Sequence, residues 1–306
     1  MTRMTSLPSL DRLILGTNPL SGVDHFSADR AREKKLNSSV EHAVSVILRS
    51  VESGARGLSL DVSTGSEFLI EALRSRDLSH PIGLYPIVPD SDMVPTVLNR
   101  GPIAALGAIR ERAGVGGAAH AVLGGAKTAL TGDPSAAMRA YLDIVRQRIA
   151  RWESSRIQVK SLVLHEIVAD ALLGLNASEL TNEFVNHVSK KFGIWPSFVT
   201  RNFSHFVDWS DYIGLPKDHH LIFTPFNPLG FQMTPSRTSS ELALLAAKPT
   251  RVYAISPLAG GQVLLSEGLQ YLAKQRGLAG VVLGVSSLDH AFESFSQATD
   301  LFRDVD

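Results

Sequence analysis

The chain has 306 residues, with 30 basic and 30 acidic side chains and no cysteine. Zero net charge excludes a strong electrostatic attraction to nucleic acid or to an acidic membrane. The lack of cysteine excludes disulfides, Cys-ligated metals and thiolate catalysis.

The hydrophobic share of 44% is that of a globular protein and not of a disordered one. No apolar run reaches the roughly 18 residues that a membrane span needs, and the first residues lack the apolar core of a signal peptide. We therefore expect a cytoplasmic protein that acts on a small molecule, without nucleic-acid or membrane partners. A homo-oligomer is left open.

Short apolar runs alternate with amphipathic stretches along the chain. The apolar runs predict eight strands, at residues 12–16, 57–61, 81–88, 160–165, 196–200, 221–226, 251–256 and 280–284. Apolar residues at helical spacing predict helices at 40–52, 66–74, 135–152, 177–192, 239–247, 261–274 and 289–302.

This alternation is typical of a parallel sheet covered on both faces by helices. Eight strand–helix units in about 300 residues predict an α/β protein with a (β/α)8 TIM barrel, in one domain over residues 1–306. A doubly wound sheet is the alternative, but GTNPLSG after the first strand is not its Gly-rich turn.

A Gly- and Ala-rich segment, residues 101–133, lies between the third and fourth predicted strands. It is too long for a simple crossover. We consider two interpretations: an extended helix pair, or a lid over the barrel mouth, because long insertions at that face are often functional.

The active site of such a barrel lies at the carboxyl ends of its strands. Polar or aromatic side chains follow or end the predicted strands: Asn18, His25, Asp61, Tyr85, His165, Glu166, Arg201, Asn202, His205, Phe226, Asn227, Ser256, Gly284, Ser286 and Ser287. Asp61 and His165 each close an otherwise apolar strand, and such a polar group needs a partner. The structural alternatives are a helix cap for Asp61 and a loop hydrogen bond for His165.

Two further readings concern ligands. Histidines and carboxylates on separate strand ends (His25, Asp61, His165, Glu166, His205) could form an open metal site, although their spacing is no recognised motif. The segment 284–287, which precedes a helix, is a candidate phosphate cradle, and its alternative is simple helix capping by Ser286 or Ser287.

Several segments, taken in order, resemble the aldo/keto reductases. GARGLSLDVSTGSEFLIEAL at 54–73 is similar to the family stretch that carries its Asp, and His165 in SLVLHE is similar to the family histidine after the fourth strand. The segments TRNFS, FNPL, SPLAGG and GVSSLDHAFE resemble the ends of the last four strands, and SPLAGG is the closest match.

The resemblance implies a reductase barrel that has lost half of its catalytic set of Asp, Tyr, Lys and His. Asp61 and His165 match the family pattern, but the four residues after Asp61 (Val62–Gly65) include no aromatic one and no lysine ends the third strand. Loss of the proton donor at such a position typically costs on the order of 10²–10³ in rate. For the NADP of the family, the resemblance implies stacking by Phe226, a carboxamide contact by Asn202 and a pyrophosphate contact by Ser256.

Four hypotheses follow. We favour a cofactor-independent isomerase or lyase, in which Asp61 and His165 transfer protons beside a carbonyl or hydroxyl group of a small metabolite. If segment 284–287 binds an anion, that metabolite carries a negative charge. Tyr85 and Asn18 would be polar helpers. The second is an NAD(P)H-dependent oxidoreductase with Tyr85 or His25 as the proton donor. The third is a metal-dependent hydrolase or lyase, and the fourth a binding or subunit scaffold.

Overall fold

A computed structural model describes residues 7–20, 39–89, 133–233, 251–275 and 277–302. Its nine strand segments are β1 (Leu13–Gly16), β2 (Gly57–Asp61), β3 (Ile82–Val88), β4 (Ile157–Val159), β5 (Ser161–Leu164), β6 (Trp195–Val199), β7 (Leu221–Pro225), β8 (Arg251–Ile255) and β9 (Leu278–Gly284). Both β4 and β5 pair with β3, at successive parts of that strand, so they are two halves of one barrel strand.

Every strand pairing is parallel, and the sheet closes on itself. The order runs from β2 through β1, β9, β8, β7 and β6 to β5 and β3, and β3 pairs again with β2. The eight-stranded closed barrel confirms the predicted (β/α)8 fold and rejects the open, doubly wound alternative.

Eight α-helices lie in the described part of the chain: α1 (Val40–Glu52), α2 (Thr64–Arg74), α3 (Pro134–Ala150), α4 (Glu166–Gly174), α5 (Ser178–Asn186), α6 (Phe203–Tyr212), α7 (Leu265–Ala273) and α8 (Leu288–Phe302). A π-helix, His187–Phe192, continues α5. Ser39, Ser63 and Asp133 accept backbone N–H groups at the starts of α1, α2 and α3, which is why these helices begin there.

Two of these helices do not appear among the predicted ones. The sequence of α4, EIVADALLG, is largely apolar around its circumference, so it shows little helical periodicity. Helix α6 follows β6 almost directly, and four of its ten residues are aromatic, a type with modest helix propensity.

The barrel interior and the space between barrel and helices form two separate apolar cores. The interior core consists of inward-facing strand residues: Ile14, Tyr85, Val163, Trp195, Leu221, Phe223 and Tyr253. The rings of Phe223 and Tyr253 stack with centroids 4.9 Å apart. Alternate strand residues, such as Leu58 and Leu60 of β2, face outward and pack under the helices.

The amino-terminal end of the barrel is closed by the segment before β1. Asp11 lies there, and its Oδ2 accepts a 3.0 Å hydrogen bond from the hydroxyl of Tyr85. The Asp11 backbone N–H donates to the same hydroxyl oxygen at 2.9 Å. A Cβ on Gly83 would overlap the Asp11 carboxyl, so glycine at this position is what admits the carboxyl group. Burial raises the pKa of Asp11 to about 6, against the lowering effects of Tyr85, Lys160 and Arg56.

His220 corrects a sequence-based expectation. We expect the pair His219–His220 before the sixth strand to be at the surface, but His220 is only 1% exposed. Its Nδ1–H donates to the Pro216 carbonyl at 2.9 Å, and its ring lies against Phe198. Burial lowers the pKa of His220, so the ring is neutral.

Some predictions fall outside the described residues. They are the helix at 239–247, the site residue His25, and residues 101–132 of the insertion, whose last residue, Asp133, caps α3. Within the described ranges, no helix is long and apolar enough to cross a membrane.

The raised pKa of Asp11 makes a contribution to stability that depends on pH. The folded state holds the proton up to about pH 6 and the unfolded chain only up to about pH 4, so this contribution is full below pH 4 and is lost as pH rises through 6. Asp11→Asn should therefore gain stability relative to the wild type between pH 4 and 7, by at most about 3 kcal/mol.

Urea unfolding at a series of pH values measures this difference. Asp77→Asn, at an exposed aspartate after α2, is the matched control and should run parallel to the wild type. Parallel curves for Asp11→Asn as well would contradict the assignment.

Candidate functional site

The carboxyl-terminal mouth of the barrel gathers most of the predicted site residues. Strand alternation places Asp61 on the inward-facing series of β2, because Leu58 and Leu60 face the helices. His165 has the same parity as Val163 of the interior core. In register, Asp61 and Val163 are both level with Ile87 of β3. With one strand between them, β2 and β5 are separated by about 10 Å, which leaves room for a small molecule.

Asp61 ends β2 and faces the start of α2. Its Oδ1 accepts hydrogen bonds from the Ser63 hydroxyl at 3.0 Å and from the Ser66 hydroxyl at 2.8 Å. Ser63 is itself the N-cap of α2, because its Oγ accepts from Ser66 N–H at 3.2 Å. The cap of α2 is therefore Ser63 and not Asp61, and Asp61 is held in place through that cap.

His165 follows β5 and is the N-cap of α4. Its Nδ1 accepts the backbone N–H of Ile167 at 3.3 Å. Burial lowers the pKa of His165, with Glu166 acting to raise it and Arg201 to lower it. The ring is therefore neutral near pH 7, and because Nδ1 acts as the acceptor, the proton is on Nε2. The structural role of His165 is therefore a cap of its own helix and not the bond to a neighbouring loop considered from the sequence, and this cap also defines which ring atom can donate.

Glu166 and Arg201 are paired with each other. Arg201 Nε donates to Glu166 Oε2 at 3.0 Å, and Arg201 Nη2 donates to Glu166 Oε1. A second contact joins the same two segments, because Asp170 accepts from the Thr200 hydroxyl and, at 3.4 Å, from the Arg201 backbone N–H. Helix α4 is thereby fixed to the loop after β6 at two successive turns.

Asn202 and Asn18 border the same mouth. Asn202 occupies the N-cap position of α6, yet its side chain makes no capping hydrogen bond. Its backbone N–H donates to Thr200 Oγ1 at 3.0 Å. Asn18 is exposed in the turn after β1. Both amides are placed as the sequence predicts, at carboxyl ends of strands.

Two polar groups of the segment after β9, the predicted anion cradle, are engaged within the fold. The Ser287 hydroxyl accepts from His290 N–H at 3.2 Å and so caps α8. The Ser286 carbonyl accepts from His42 Nε2 at 2.9 Å. Gly284 leaves space for Pro19, since a Cβ would lie 3.0 Å from the proline Cγ. These contacts favour the capping alternative.

Three predicted residues are not brought to the mouth. The hydroxyl of Tyr85 is bound to Asp11 at the opposite end of the barrel, and burial raises the pKa of Tyr85, so it stays protonated. His205 lies in α6 and not in a loop, with its side chain exposed. Phe226 is fully buried in the outer core, against the ring of Phe203 at 5.6 Å.

The sequence-based sites for NADP fit the described residues poorly. Phe226 offers no exposed face for stacking. The side chain of Asn227 closes its own loop, donating to Phe231 O at 2.9 Å and accepting Phe231 N–H at 2.8 Å. Ser256 has a left-handed backbone, φ 52°, and its carbonyl accepts Ala259 N–H at 3.0 Å. Of the predicted cofactor contacts, Asn202 remains, because its side-chain amide makes no capping hydrogen bond.

The described residues give no support to the metal-site hypothesis. Within the described ranges, no three His, Asp or Glu side chains come together in a way that could hold a metal ion. Glu166 is paired with Arg201, and His205 is on the outer side of α6. His25 lies outside the described residues.

The sequence-based candidates omit Ser63 and Ser66, which hold Asp61, and also Asp170 and Thr200. Asp170 lies in α4, a helix that the periodicity does not reveal, and Thr200 reads as the end of a strand. A buried threonine directly before the Arg-Asn pair is the one sequence signal that points to this position, because a buried hydroxyl needs an acceptor.

Ser63 should be worth more to stability than an ordinary N-cap. Its hydroxyl caps α2 and also donates to Asp61, whereas Ser39 caps α1 by the same geometry and has no such acceptor among the described residues. We expect Ser63→Ala to lower the free energy of unfolding by about 2 kcal/mol and Ser39→Ala by about 1 kcal/mol. Equal losses in urea unfolding would contradict a structural link from α2 to Asp61.

Comparisons with known proteins agree on the fold. A Pseudomonas aeruginosa protein described as a candidate aldo-keto reductase is 14% identical and superposes with a TM-score of 0.58 over 99% of both chains. A second structure, also of a candidate aldo-keto reductase from that organism, is 14% identical, with a TM-score of 0.59 over 97% of both chains. No protein-family model and no curated protein sequence matches the chain. At this identity the likeness concerns the barrel fold alone, and function has to be argued from the site.

Proposed function

We propose that this chain is a cofactor-independent enzyme that transfers a proton next to a carbonyl group of a small hydroxylated metabolite, as an isomerase or lyase does. The observation that carries the proposal is the hydrogen bond from Ile167 N–H to Nδ1 of His165. That bond fixes the remaining ring proton on Nε2 of a neutral imidazole, at the barrel end where Asp61 faces inward.

The two groups supply complementary chemistry. A carboxylate such as Asp61 can accept the proton of a carbon next to a carbonyl, breaking the C–H bond while an O–H bond forms on the carboxylate. The carbonyl oxygen gains the negative charge, and the Nε2–H of His165 can donate a hydrogen bond to it. In an isomerisation, the proton returns from Asp61 to the former carbonyl carbon, and the hydroxyl proton of the deprotonated carbon passes to the former carbonyl oxygen. In an elimination, a hydroxyl group leaves from the carbon on the other side of the deprotonated one and takes the proton from Asp61 to depart as water.

The residues at the reductase catalytic positions support this proposal. The positions that match the family's tyrosine and lysine hold other residues, and the hydroxyl of Tyr85, the candidate substitute, is hydrogen-bonded to Asp11 at the opposite end of the barrel. The described residues offer no exposed aromatic ring at Phe226 for a nicotinamide. Reduction by NADPH remains the second candidate, because the amide of Asn202 lies at the mouth and the structural neighbours are described as candidate aldo-keto reductases.

Proton transfer of this kind can be detected without knowing the product. Small hydroxy-ketones, hydroxy-aldehydes and hydroxy-acids are incubated with the protein in D2O, and proton NMR follows the loss of the C–H signal next to the carbonyl. We expect Asp61→Asn and His165→Gln each to lower the exchange rate at least about 100-fold. His205→Gln, at an exposed histidine of α6, is the matched control and should retain the rate. Full activity in both site variants would reject the proposal.

The pH profile gives a second readout. Because burial lowers the pKa of His165, the neutral form persists below the ordinary histidine value of about 6.5, and its Nδ1 still accepts the Ile167 N–H that orients the ring. The exchange rate should therefore hold as pH falls through 6.5 and decline only under more acidic conditions. A fluorescence titration with NADPH tests the second candidate, and saturable quenching at micromolar concentration would favour reduction over the non-redox reaction.

A further inference from the structure

A cluster of four side chains joins α4 to the loop after β6, directly beside His165. We call it the latch, and it consists of Glu166, Asp170, Thr200 and Arg201. Arg201 and Glu166 form a bidentate ion pair. Asp170 accepts hydrogen bonds from the Thr200 hydroxyl and from the Arg201 backbone N–H. Thr200 is fully buried, and its oxygen also accepts Asn202 N–H.

The latch lies where it controls the backbone that His165 contacts. Helix α4 begins at Glu166, and the N–H that reaches His165 Nδ1 belongs to Ile167, the second residue of the helix. The latch holds residues 166 and 170 of the same helix, one turn apart, so it fixes the first turn on the face that packs towards β6. The position of Ile167 N–H, and with it the ring tautomer of His165, depends on that turn.

The two charges of the ion pair have opposite effects on the His165 imidazole. Glu166 and Arg201 act on the His165 ring with opposite signs, and they are tied to each other. On the neighbouring elements, Asp170 of α4 is engaged by the Thr200 hydroxyl, and Asp61 lies two strands away at the end of β2, and neither is among the charges that act on the His165 ring. Strand β3, which lies between them, contributes Ile87 and Val88 at this level and no charge.

We propose that Glu166, Asp170, Thr200 and Arg201 are positioning residues, which hold the His165 ring in its Nε2–H form and electrostatically neutral surroundings, and that they do not bind the substrate. This inference rests on the proposed function, since it gives a purpose to a fixed, neutral His165. It reassigns Glu166 and Arg201 from the substrate- or cofactor-binding role that the sequence suggests. The Arg201 guanidinium already makes two hydrogen bonds to the Glu166 carboxylate, so this side chain is engaged within the protein.

The charge balance predicts shifts of opposite sign in two single variants. Arg201→Gln leaves Glu166 alone beside the ring and should raise the pKa of His165. Glu166→Gln leaves Arg201 alone and should lower it. The double variant removes both charges, and its His165 pKa should fall between those of the single variants. Proton–carbon NMR of the labelled histidine ring over a pH series measures all four proteins, with His165→Gln identifying the signal.

A second mouth-side ion pair provides the matched control. Arg148 and Glu67 join α3 to α2 in a similar way, and Arg148 also donates to the Val62 carbonyl, but neither is among the charges acting on His165. Arg148→Gln and Glu67→Gln should leave the His165 titration at the wild-type value, whatever they do to stability. Shifts of one sign in all variants would mean a general loosening and would overturn the proposal.

The uncharged half of the latch is tested through the tautomer. Thr200→Val keeps the shape of the side chain and removes the hydroxyl, whereas Thr200→Ser keeps the hydroxyl. Nitrogen-15 shifts of His165, read above its pKa, should report the Nε2–H form in the wild type and in Thr200→Ser, and a mixture of both tautomers in Thr200→Val. An unchanged Nε2–H ring in folded Thr200→Val would overturn the role of Thr200 and Asp170.

These readouts do not depend on turnover. If the proton-exchange assay fails while the shifts and tautomers follow the expected pattern, the latch holds and the proposed reaction is wrong. If exchange is found and depends on His165 while the titrations do not move, the reaction holds and the latch is only structural.

Discussion

Closure of the parallel sheet, through the pairing of β3 with β2 as well as with β4 and β5, is the constraint on which the rest of the structure depends. A closed sheet has no free edge, and it sends alternate residues of each strand into one shared interior. It also collects the eight carboxyl ends into one ring. Asp61 and His165 are 104 positions apart in a sequence of 306 residues, and closure brings their strands to within one intervening strand.

The two ends of the barrel use buried polar groups in different ways. At the amino-terminal end, Asp11 and Tyr85 satisfy each other in an apolar setting, and the carboxyl group is more readily protonated as a result. At the carboxyl-terminal end, each titratable group that the proposal uses is held by a neighbouring helix start. Asp61 is bound by two serine hydroxyls, and His165 by a helix N–H. The first arrangement closes the barrel, and the second leaves oriented groups around an opening.

The sequence predicts the barrel well because its signal is local. Each buried strand is a short apolar run, and runs such as GLSLD or KSLVLH stand out from the amphipathic stretches around them. The missed helix α4 illustrates the limit, because a helix with apolar residues on most of its surface carries no periodicity to detect. The strand ends, and hence most of the candidate mouth residues, follow directly from the strands.

The direction of individual side chains is harder to predict. In LIFTPF every residue but one is apolar or proline, so the sequence does not say which alternate residues face the barrel interior. In the structure, Phe226 faces the helices. Tyr85 does face inward, but the length of its side chain carries the hydroxyl to the opposite end. The contact of Asp170 with Thr200 joins residues 30 positions apart on two different elements, and no local pattern encodes it.

Joint action of Asp61 and His165 in one proton transfer is the central claim, and a double-mutant cycle on the exchange rate tests it most directly. The rate constants of the wild type, Asp61→Asn, His165→Gln and the double variant are compared on one substrate. If the two residues act in the same step, the double variant loses little more than the more severe single variant. Losses that multiply would mean that the residues act independently, and this would contradict the account.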